Sequence, residues 1–481
     1  IQKTLTLLML NYKIPDKGLK EEDLFQIMDE SIKSDIDWKS GKAFGAVYYP
    51  GDKYSKVISK AFNKFIHENA FDPKLFNSIL SMENELVGQT ASLFSKNDNL
   101  IGNLTSGGTE SIFLSILSAR NWSKKNKGII NPEVILSSSA HPAFLKAMNF
   151  LNVKPILIPT KNNFKLDLES FKNSINENTI LIVGSAPNYP YGMVDPINEL
   201  SKIAINHKIL LHVDACIGGF LLSYLKKMGY DIPLFDFELE GVSSLSVDLH
   251  KYAYSPKGSS ILLYRNEELR KEQFSVYPNW EGGIYGSTSF LGTKPGGIVA
   301  STWMALNHIG NDGYLELTKK TMTATKTIRD FIEENEDLYL IGDPIMSLLA
   351  FKSKNNNIYL IADLLNDLGW YIGRLQNPNG IHLVVSQIHA DGAADRFIKD
   401  LQMISSKLNN SIIKNKLLKL GDKISTNSVK SLGYKSLKKA ILGKVKSSSK
   451  KSKNRLIYDL KSDLNLEQSN DLFKSILNKF Y

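Results

Sequence analysis

Cysteine is nearly absent from this chain: Cys216 is the one thiol among 481 residues. An intrachain disulfide framework is thereby excluded, and the usage is compatible with a reducing compartment. Long apolar runs are missing too. The longest near the start, Leu5 with Leu7–Leu10, falls well short of the about 20 residues that cross a bilayer. It also lacks the layout of a signal peptide. The expectation is a cytoplasmic or cytosol-facing protein, soluble as given. A first residue of Ile1 rather than Met leaves room for an upstream segment. An excess of one charge is missing from most of the length. Residues 411–481 hold 17 Lys and Arg against 5 Asp and Glu, so the remaining 410 residues carry 42 against 44. The net charge of +10 therefore belongs to the tail and says nothing about a site in the body.

What is present is the composition of a globular protein, with 42% hydrophobic residues and enough length for a large core with two or three subdomains. Apolar strand-like runs at Val134–Ser138, Ile156–Ile158, Ile180–Gly184, Ile209–Val213, Ser243–Val247 and Ile261–Tyr264 alternate with helix-like stretches. Those stretches include Pro142–Leu151, Leu166–Ile175 and Pro196–His207. The alternation predicts an α/β architecture, a mostly parallel sheet covered on both faces. Chemistry in such a fold sits at the strand ends.

Three stretches occupy those ends. Thr105–Ser111 (TSGGTES) follows Leu100–Leu104 and opens a helix-like run, Ser111–Trp122. Gly107 and Gly108 let backbone N–H groups approach an anion, Thr109 adds a hydroxyl, and the helix start adds partial positive charge. Ile209–Ala215 (ILLHVDA) ends a buried-type run on an acid, Asp214. A carboxylate there needs a cationic partner. A protonated pyridine nitrogen is one, and the carboxylate keeps it charged so that the ring accepts electrons. Ser246–Gly258 (SVDLHKYAYSPKG) carries His250-Lys251 just after Val242–Val247, with Lys257 beside Gly258. A strand-end lysine has a fixed backbone and an amine free to reach into a cleft, which suits a Schiff-base lysine. Singly, each stretch also fits a blander role, and most lysines simply sit in water. In the order SGGT, HVDA, HK they read as a pyridoxal phosphate site: phosphate cup, ring-nitrogen acid, Schiff-base lysine.

At these residues the chain resembles the sphingosine-1-phosphate lyase family, within the fold-type I pyridoxal phosphate enzymes related to group II amino-acid decarboxylases. The resembling segments are TSGGTES at 105–111, SAH at 139–141, HVDACIGGFL at 212–221 and HKYAYSPKGSS at 250–260. GGIYGSTSFLGTKPGG at 282–297 and LGWYIGRLQNPNGIH at 368–382 complete them. The likeness spans roughly residues 40–405. It implies a fold-type I, transferase-like large domain with a mostly parallel seven-stranded sheet, and a small C-terminal α+β domain. The division expected is a helical arm over 1–70, a cofactor-binding domain over 71–310, the small domain over 311–409 and a basic helical or flexible tail over 410–481.

The resemblance also implies roles. Lys251 carries the cofactor, Asp214 faces its ring nitrogen, His141 stacks over the ring, and Gly107, Gly108, Thr109 and His250 contact its phosphate. Tyr48, in GAVY, reaches into the partner subunit's site. Tyr189, in PNYPYG, lies near the substrate, and Lys257 binds the substrate phosphate or tunes the local charge. The glycine-rich run with Ser287 crosses a dimer interface to the cofactor phosphate, giving a homodimer with shared sites. Asn69 matches the first position of an Asn-Pro-x-His motif, while Asp72 stands where the histidine would be. An ionised aspartate would repel a phosphate. The implied substrate is a phosphorylated sphingoid base, with no metal and no nucleic-acid partner. Eukaryotic members of the family carry a membrane anchor ahead of the catalytic domain.

Two rivals share these features. A group II decarboxylase has the same SGGT, HVDA and HK anchors, although HKY with a second lysine six residues after the first favours the lyase. A non-enzymatic protein that binds pyridoxal phosphate or a lipid phosphate is the other. Asp23–Ser34 and Val57–Phe65 read as amphipathic helices, and Tyr314–Glu334 as a long one in the small domain, beside strand-like segments near 346–352 and 382–388. Past residue 410 the likeness stops. Ser447–Ser452 is low in complexity and Ser436–Val445 alternates Leu and Ile with Lys. That tail suits either contact with an anionic membrane or acidic partner, or a solvated helical extension.

Overall fold

The computed structural model describes residues 13–71, 74–96, 99–409 and 464–480, together with Lys438, Lys439, Leu442 and Tyr458. Asp72, the Leu5–Leu10 run, Ser447–Ser452 and most of Ser436–Val445 lie outside the described residues.

Seven strands form the main sheet: β1 (Ile101–Thr105), β2 (Glu133–Ser137), β3 (Lys154–Ile158), β4 (Thr179–Ser185), β5 (Leu210–Asp214), β6 (Ser244–Val247) and β7 (Ser260–Tyr264). Their order is β1-β7-β6-β5-β4-β2-β3. The pairs from β6 to β3 are parallel, and only β7 runs against its neighbours β1 and β6. The continuous apolar runs follow from burial on both faces. Val134 and Leu136 of β2, with Leu181 and Val183 of β4, face Ile112 and Ile116 of helix α4 (Gly108–Lys127) and Phe144 and Met148 of α5 (Ala143–Leu151). Ile135, Ile182, Leu211 and Val213 point the other way, against Leu200 of α7 (Ile197–His207) and Leu221 and Leu222 of α8 (Gly219–Lys227). Full burial of each such side chain is worth about 1.5–3 kcal/mol. Because β7 is antiparallel to both neighbours, β1 shares the direction of β6. The C-terminal ends of β1, β4, β5 and β6 therefore open on one edge.

Ahead of the sheet lie α1 (Glu21–Ile32), α2 (Asp52–Lys64) and α3 (Asn77–Ala91), and α6 (Leu168–Asn173) leads into β4. Helix α1 buries none of its residues: Leu24, Phe25, Met28 and Ile32 are all exposed. After β7 comes a hairpin, β8 (Ser275–Trp280) with β9 (Gly283–Ser287), the second strand lying inside the glycine-rich run. Helix α9 (Gly296–Glu334) then follows as two helices joined at a non-helical Gly310 (φ 63°, ψ 176°), and the part after the break matches the expected Tyr314–Glu334.

The second half of α9, α10 (Ile358–Asp367) and α11 (Ala393–Asn409) cover a four-stranded antiparallel sheet of order β10-β11-β13-β12. Its strands are β10 (Leu338–Leu340), β11 (Leu348–Ser353), β12 (Gly373–Gln376) and β13 (Asn379–Val384). The strand expected near 382–388 stops at Val384. Ser386 and His389 cap a tight turn there, and the Gln387 amide donates to the Tyr49 carbonyl. The 42–44 stretch is stitched to this unit. Phe44 N donates to the Tyr371 carbonyl and Tyr371 N to that of Lys42. The Phe44 ring stacks on His389, centroids 4.3 Å apart. Residues assigned by sequence to a helical arm thus belong to the small unit's core. In the tail, α12 (Leu466–Phe480) buries Leu472 and Ile476, its Asp471 pairs with Lys438 at 2.7 Å, and the Tyr458 ring lies 5.2 Å from that of Tyr359. Among the described residues no helix is long and apolar enough to cross a membrane.

Candidate active site

The common edge of β1, β4, β5 and β6 forms the floor of a cavity of about 450 Å³. Gly107, Gly108, Thr109, His141, Tyr189, Asp214, His250, Lys251, Lys257 and Tyr48 all line it. Side chains spread over more than 200 positions meet here because each follows a strand that ends on the same edge.

Helix α4 starts at Gly108, three residues earlier than its apolar pattern indicates, with Gly107 as N-cap. Gly107 has φ +149°, and a Cβ there would come within 3.4 Å of the His250 ring. A Cβ on Gly108 would lie 2.7 Å from Asp248 Oδ1 and 2.8 Å from Cys216 Sγ. Only glycine fits this close approach. Glu110 braces the turn from inside the chain: its carboxylate accepts from Ser106 N at 2.7 Å and from Phe290 N at 2.7 Å.

Asp214 closes β5 nearly buried, and its Oδ1 accepts from Cys216 N at 3.1 Å. Behind it, His212 is held between Ser244 Oγ (2.8 Å) and Ser246 Oγ (3.2 Å), and the Cys216 thiol donates to Ser246 at 3.2 Å. Burial pushes the His212 pKa down to about 3, so this ladder under the site is neutral.

Lys251 Nζ lies 2.8 Å from Asp248 Oδ2. Burial works against the ammonium, but the Asp248 carboxylate outweighs it and the amine's pKa is raised. Asp248 was not among the residues singled out by sequence. Its signal, an acid three positions before the lysine, has meaning only once the turn brings the two side chains together. Lys257 reaches solvent and makes no ion pair among the described residues. Its Nζ donates to the His250 carbonyl at 3.2 Å and sits over the Tyr48 ring, 4.7 Å from the centroid. Desolvation and then the nearby Lys251 charge push its pKa down to about 8. Burial raises the phenols of Tyr48 and Tyr189 above their ordinary value, so both stay protonated donors. His382, also missed, holds Tyr189: its Nε2 is 2.7 Å from the Tyr189 carbonyl and the two rings are 4.4 Å apart. The His141 ring accepts at Nδ1 from Ala143 N at 3.2 Å.

Three of the expected residues lie as follows within the single chain. Tyr48, expected in a partner's site, lines its own chain's cavity and packs edge-on to Tyr252 at 5.0 Å, because the 42–44 stretch is tied to the small unit. Asn69 does not reach the cavity: its side chain accepts from Phe71 N at 3.0 Å and its backbone bridges Pro295. Ser287 lines a second cavity of about 260 Å³ with Ala70, Phe71, Glu83, Arg270 and Lys294, and its hydroxyl donates to the Ser289 carbonyl at 2.7 Å.

The main cavity suits pyridoxal phosphate. It joins an amine, a nearly buried carboxylate and a glycine turn at a 20-residue helix N-terminus, matching an aldehyde, a pyridine nitrogen and a phosphate. Among the described residues the buried Asp248 Oδ1 has no hydrogen-bond partner, which marks a polar spot left unsatisfied there.

Comparisons with known proteins agree. The pyridoxal-dependent decarboxylase conserved domain matches residues 5–354. A sphingosine-1-phosphate lyase of Arabidopsis thaliana is 41% identical over 397 residues, covering 81% of this chain and 72% of the relative. The structure of a Burkholderia pseudomallei sphingosine-1-phosphate lyase superposes with a TM-score of 0.80 at 33% identity, over 86% of this chain and 97% of that one. A Lactobacillus brevis glutamate decarboxylase, at 19% identity and a TM-score of 0.73 over 83% and 96%, shares the fold. By sequence and by fold, the chain belongs to the sphingosine-1-phosphate lyase family of the pyridoxal-dependent decarboxylases.

Proposed function

We propose that this protein cleaves the C2–C3 bond of a phosphorylated long-chain 2-amino-3-hydroxy base, releasing a long-chain aldehyde and phosphoethanolamine. The observation that carries this reading is the placement of Lys257 beside Lys251 on one cavity wall. The pair offers one amine for the cofactor and a second cation for a phosphate on the substrate. An amino acid undergoing decarboxylation would have no phosphate to meet it.

Pyridoxal phosphate, when bound, supplies an aldehyde that condenses with primary amines and a ring that accepts electrons from a bond beside the amine carbon. The Lys251 amine holds the aldehyde. Asp214 keeps the ring nitrogen charged. Gly107, Gly108 and Thr109, at the α4 N-terminus, and His250 take the cofactor phosphate. His141 covers the ring and excludes water. Lys257 binds the substrate phosphate through a charge-assisted bond. Tyr48 and Tyr189, protonated donors at the cavity wall, orient the C3 hydroxyl whose proton must leave. The bond that breaks is the one these contacts align with the ring's π system.

The homodimer is part of this proposal. Ser287 lies off its own chain's main cavity, and Tyr277, Trp280, Ile284 and Phe290 around it are exposed. A second copy across that hairpin would cover them and bring Ser287 to the neighbouring cofactor phosphate. The Lys-rich tail supports contact with an anionic membrane surface. The division into arm, large domain, small domain and tail is proposed with the small unit extended to the 42–44 stretch.

The test is product analysis by mass spectrometry with sphingosine 1-phosphate as substrate, alongside glutamate and an aromatic amino acid. Long-chain aldehyde with phosphoethanolamine is the expected result. Carbon dioxide from an amino acid without any aldehyde would overturn the reading.

A further inference from the structure

Asp248 has no part in the chemistry above, yet its carboxylate is held tightly in the cavity. It follows β6 directly and is 3% exposed. Oδ2 holds Lys251 Nζ at 2.8 Å and lies 3.6 Å from His250 Nε2. Oδ1 is buried, has no hydrogen-bond partner among the described residues, and faces Gly108. The backbone fixes the same geometry, since Lys251 N donates to the Asp248 carbonyl at 3.3 Å. Such a carboxylate is costly to bury unless a cation meets it, and Lys251 is the cation in place. During turnover, however, Lys251 alternates between a neutral, carbon-bound nitrogen and a free amine.

We propose that Asp248 is the positioning residue that receives the Lys251 ammonium whenever a substrate amine displaces that lysine from the cofactor carbon. The inference rests on the reading of Lys251 as the cofactor lysine. The exchange balances without any other reactant. An incoming primary ammonium brings three hydrogens and one positive charge. One carbon–nitrogen double bond forms to its nitrogen and one breaks at Nζ, and the three hydrogens and the charge end on Nζ. Nothing is oxidised or reduced. Asp248 sits where that charge arrives, so displacement leaves an ion pair instead of an unpaired buried cation. Other titratable groups facing this pair are Asp214 and Cys216 from the end of β5, His250, Tyr252 and Lys257 from the same loop, Tyr48 from the 45–50 loop and Tyr189 from the β4 loop. None of them comes within ion-pair distance of Lys251.

The experiment titrates the cofactor-loaded protein with phosphoethanolamine and follows the visible absorption of the lysine-bound cofactor. Asp248→Asn should need about 10- to 150-fold more amine for half displacement, the loss expected for one charged hydrogen bond. Its midpoint should fall as pH rises, because the expelled lysine now gives its proton to solvent, whereas the parent keeps the proton and stays flat. Asp248→Glu should recover most of the parental midpoint. Asp248→Ser, neutral and smaller, is the second variant if the Asn form does not fold, with the same expectation. A parental midpoint and pH profile in the neutral variants would overturn the proposal. So would a folded neutral variant that takes up no cofactor, since Asp248 would then hold the cofactor itself. Absence of the visible band in the parent would instead overturn the cofactor reading, and this inference with it.

Discussion

The loop after β6 and the β8–β9 hairpin carry the two halves of the expected cofactor site, and they are built in opposite ways. The first closes on itself. His250 N donates to the Ser259 carbonyl, Ser255 and Ser259 share a hydroxyl contact of 2.5 Å, and Lys251 has Asp248. The second stands out from the body: Tyr277 is 62% exposed, Trp280 60% and Ile284 83%. Its Ser287 opens onto a cavity that lacks Lys251. Exposed apolar clusters of this kind mark interaction surfaces. One copy of the chain therefore brings together the amine, carboxylate and helix N-terminus, and leaves the glycine-rich hairpin turned outward.

Three substitutions test that contrast, from the largest expected effect downward. Lys251→Ala should remove product formation altogether and with it the visible cofactor absorption, read on the purified variant by mass spectrometry and spectrophotometry. The other amine of that loop, Lys257, is held at the His250 carbonyl instead. Lys257→Met should lower kcat/KM for a phosphorylated substrate by about 10- to 150-fold, the loss of one charge-assisted hydrogen bond. It should change little for a dephosphorylated one. The parent should show a pH dependence that this variant lacks. With its pKa near 8, Lys257 is charged below that value and neutral above it, so kcat/KM should fall as pH rises through about 8. Trp280→Asp, on the open hairpin, should leave the fold intact and weaken self-association by roughly 30-fold or more, as for an interface hot spot. Sedimentation equilibrium reads this directly. A variant that stayed as tightly paired as its parent would detach the hairpin from the dimer proposal.

Much of this was legible before any coordinates. Buried parallel strands must be apolar on both faces, so β2, β4 and β5 stand out as unbroken runs, and a polar residue at their tips signals a site. That is how Lys251, Asp214 and the TSGGTES turn were found together. Asp248 and His382 were not, since their partners are set by a turn and by a contact 193 positions away. Tyr48 and Asn69 match short motifs in residue type. Their surroundings depend on which unit the flanking backbone joins, and no local pattern encodes that. The N-terminus of α4 was misplaced by three residues because Gly108 and Thr109 lack the apolar periodicity that marks a helix, although they begin one here.

By itself the amino-acid order determined the layered α/β architecture and the cofactor class, and it singled out candidate residues to hold it, because strand burial and motif order are local properties. Which of those residues share a cavity, and which face outward, was decided by the tertiary structure alone. The strand order β1-β7-β6-β5-β4-β2-β3 brings the C-terminal ends of distant strands to a single edge, and only chain packing sets such a crossing of segments.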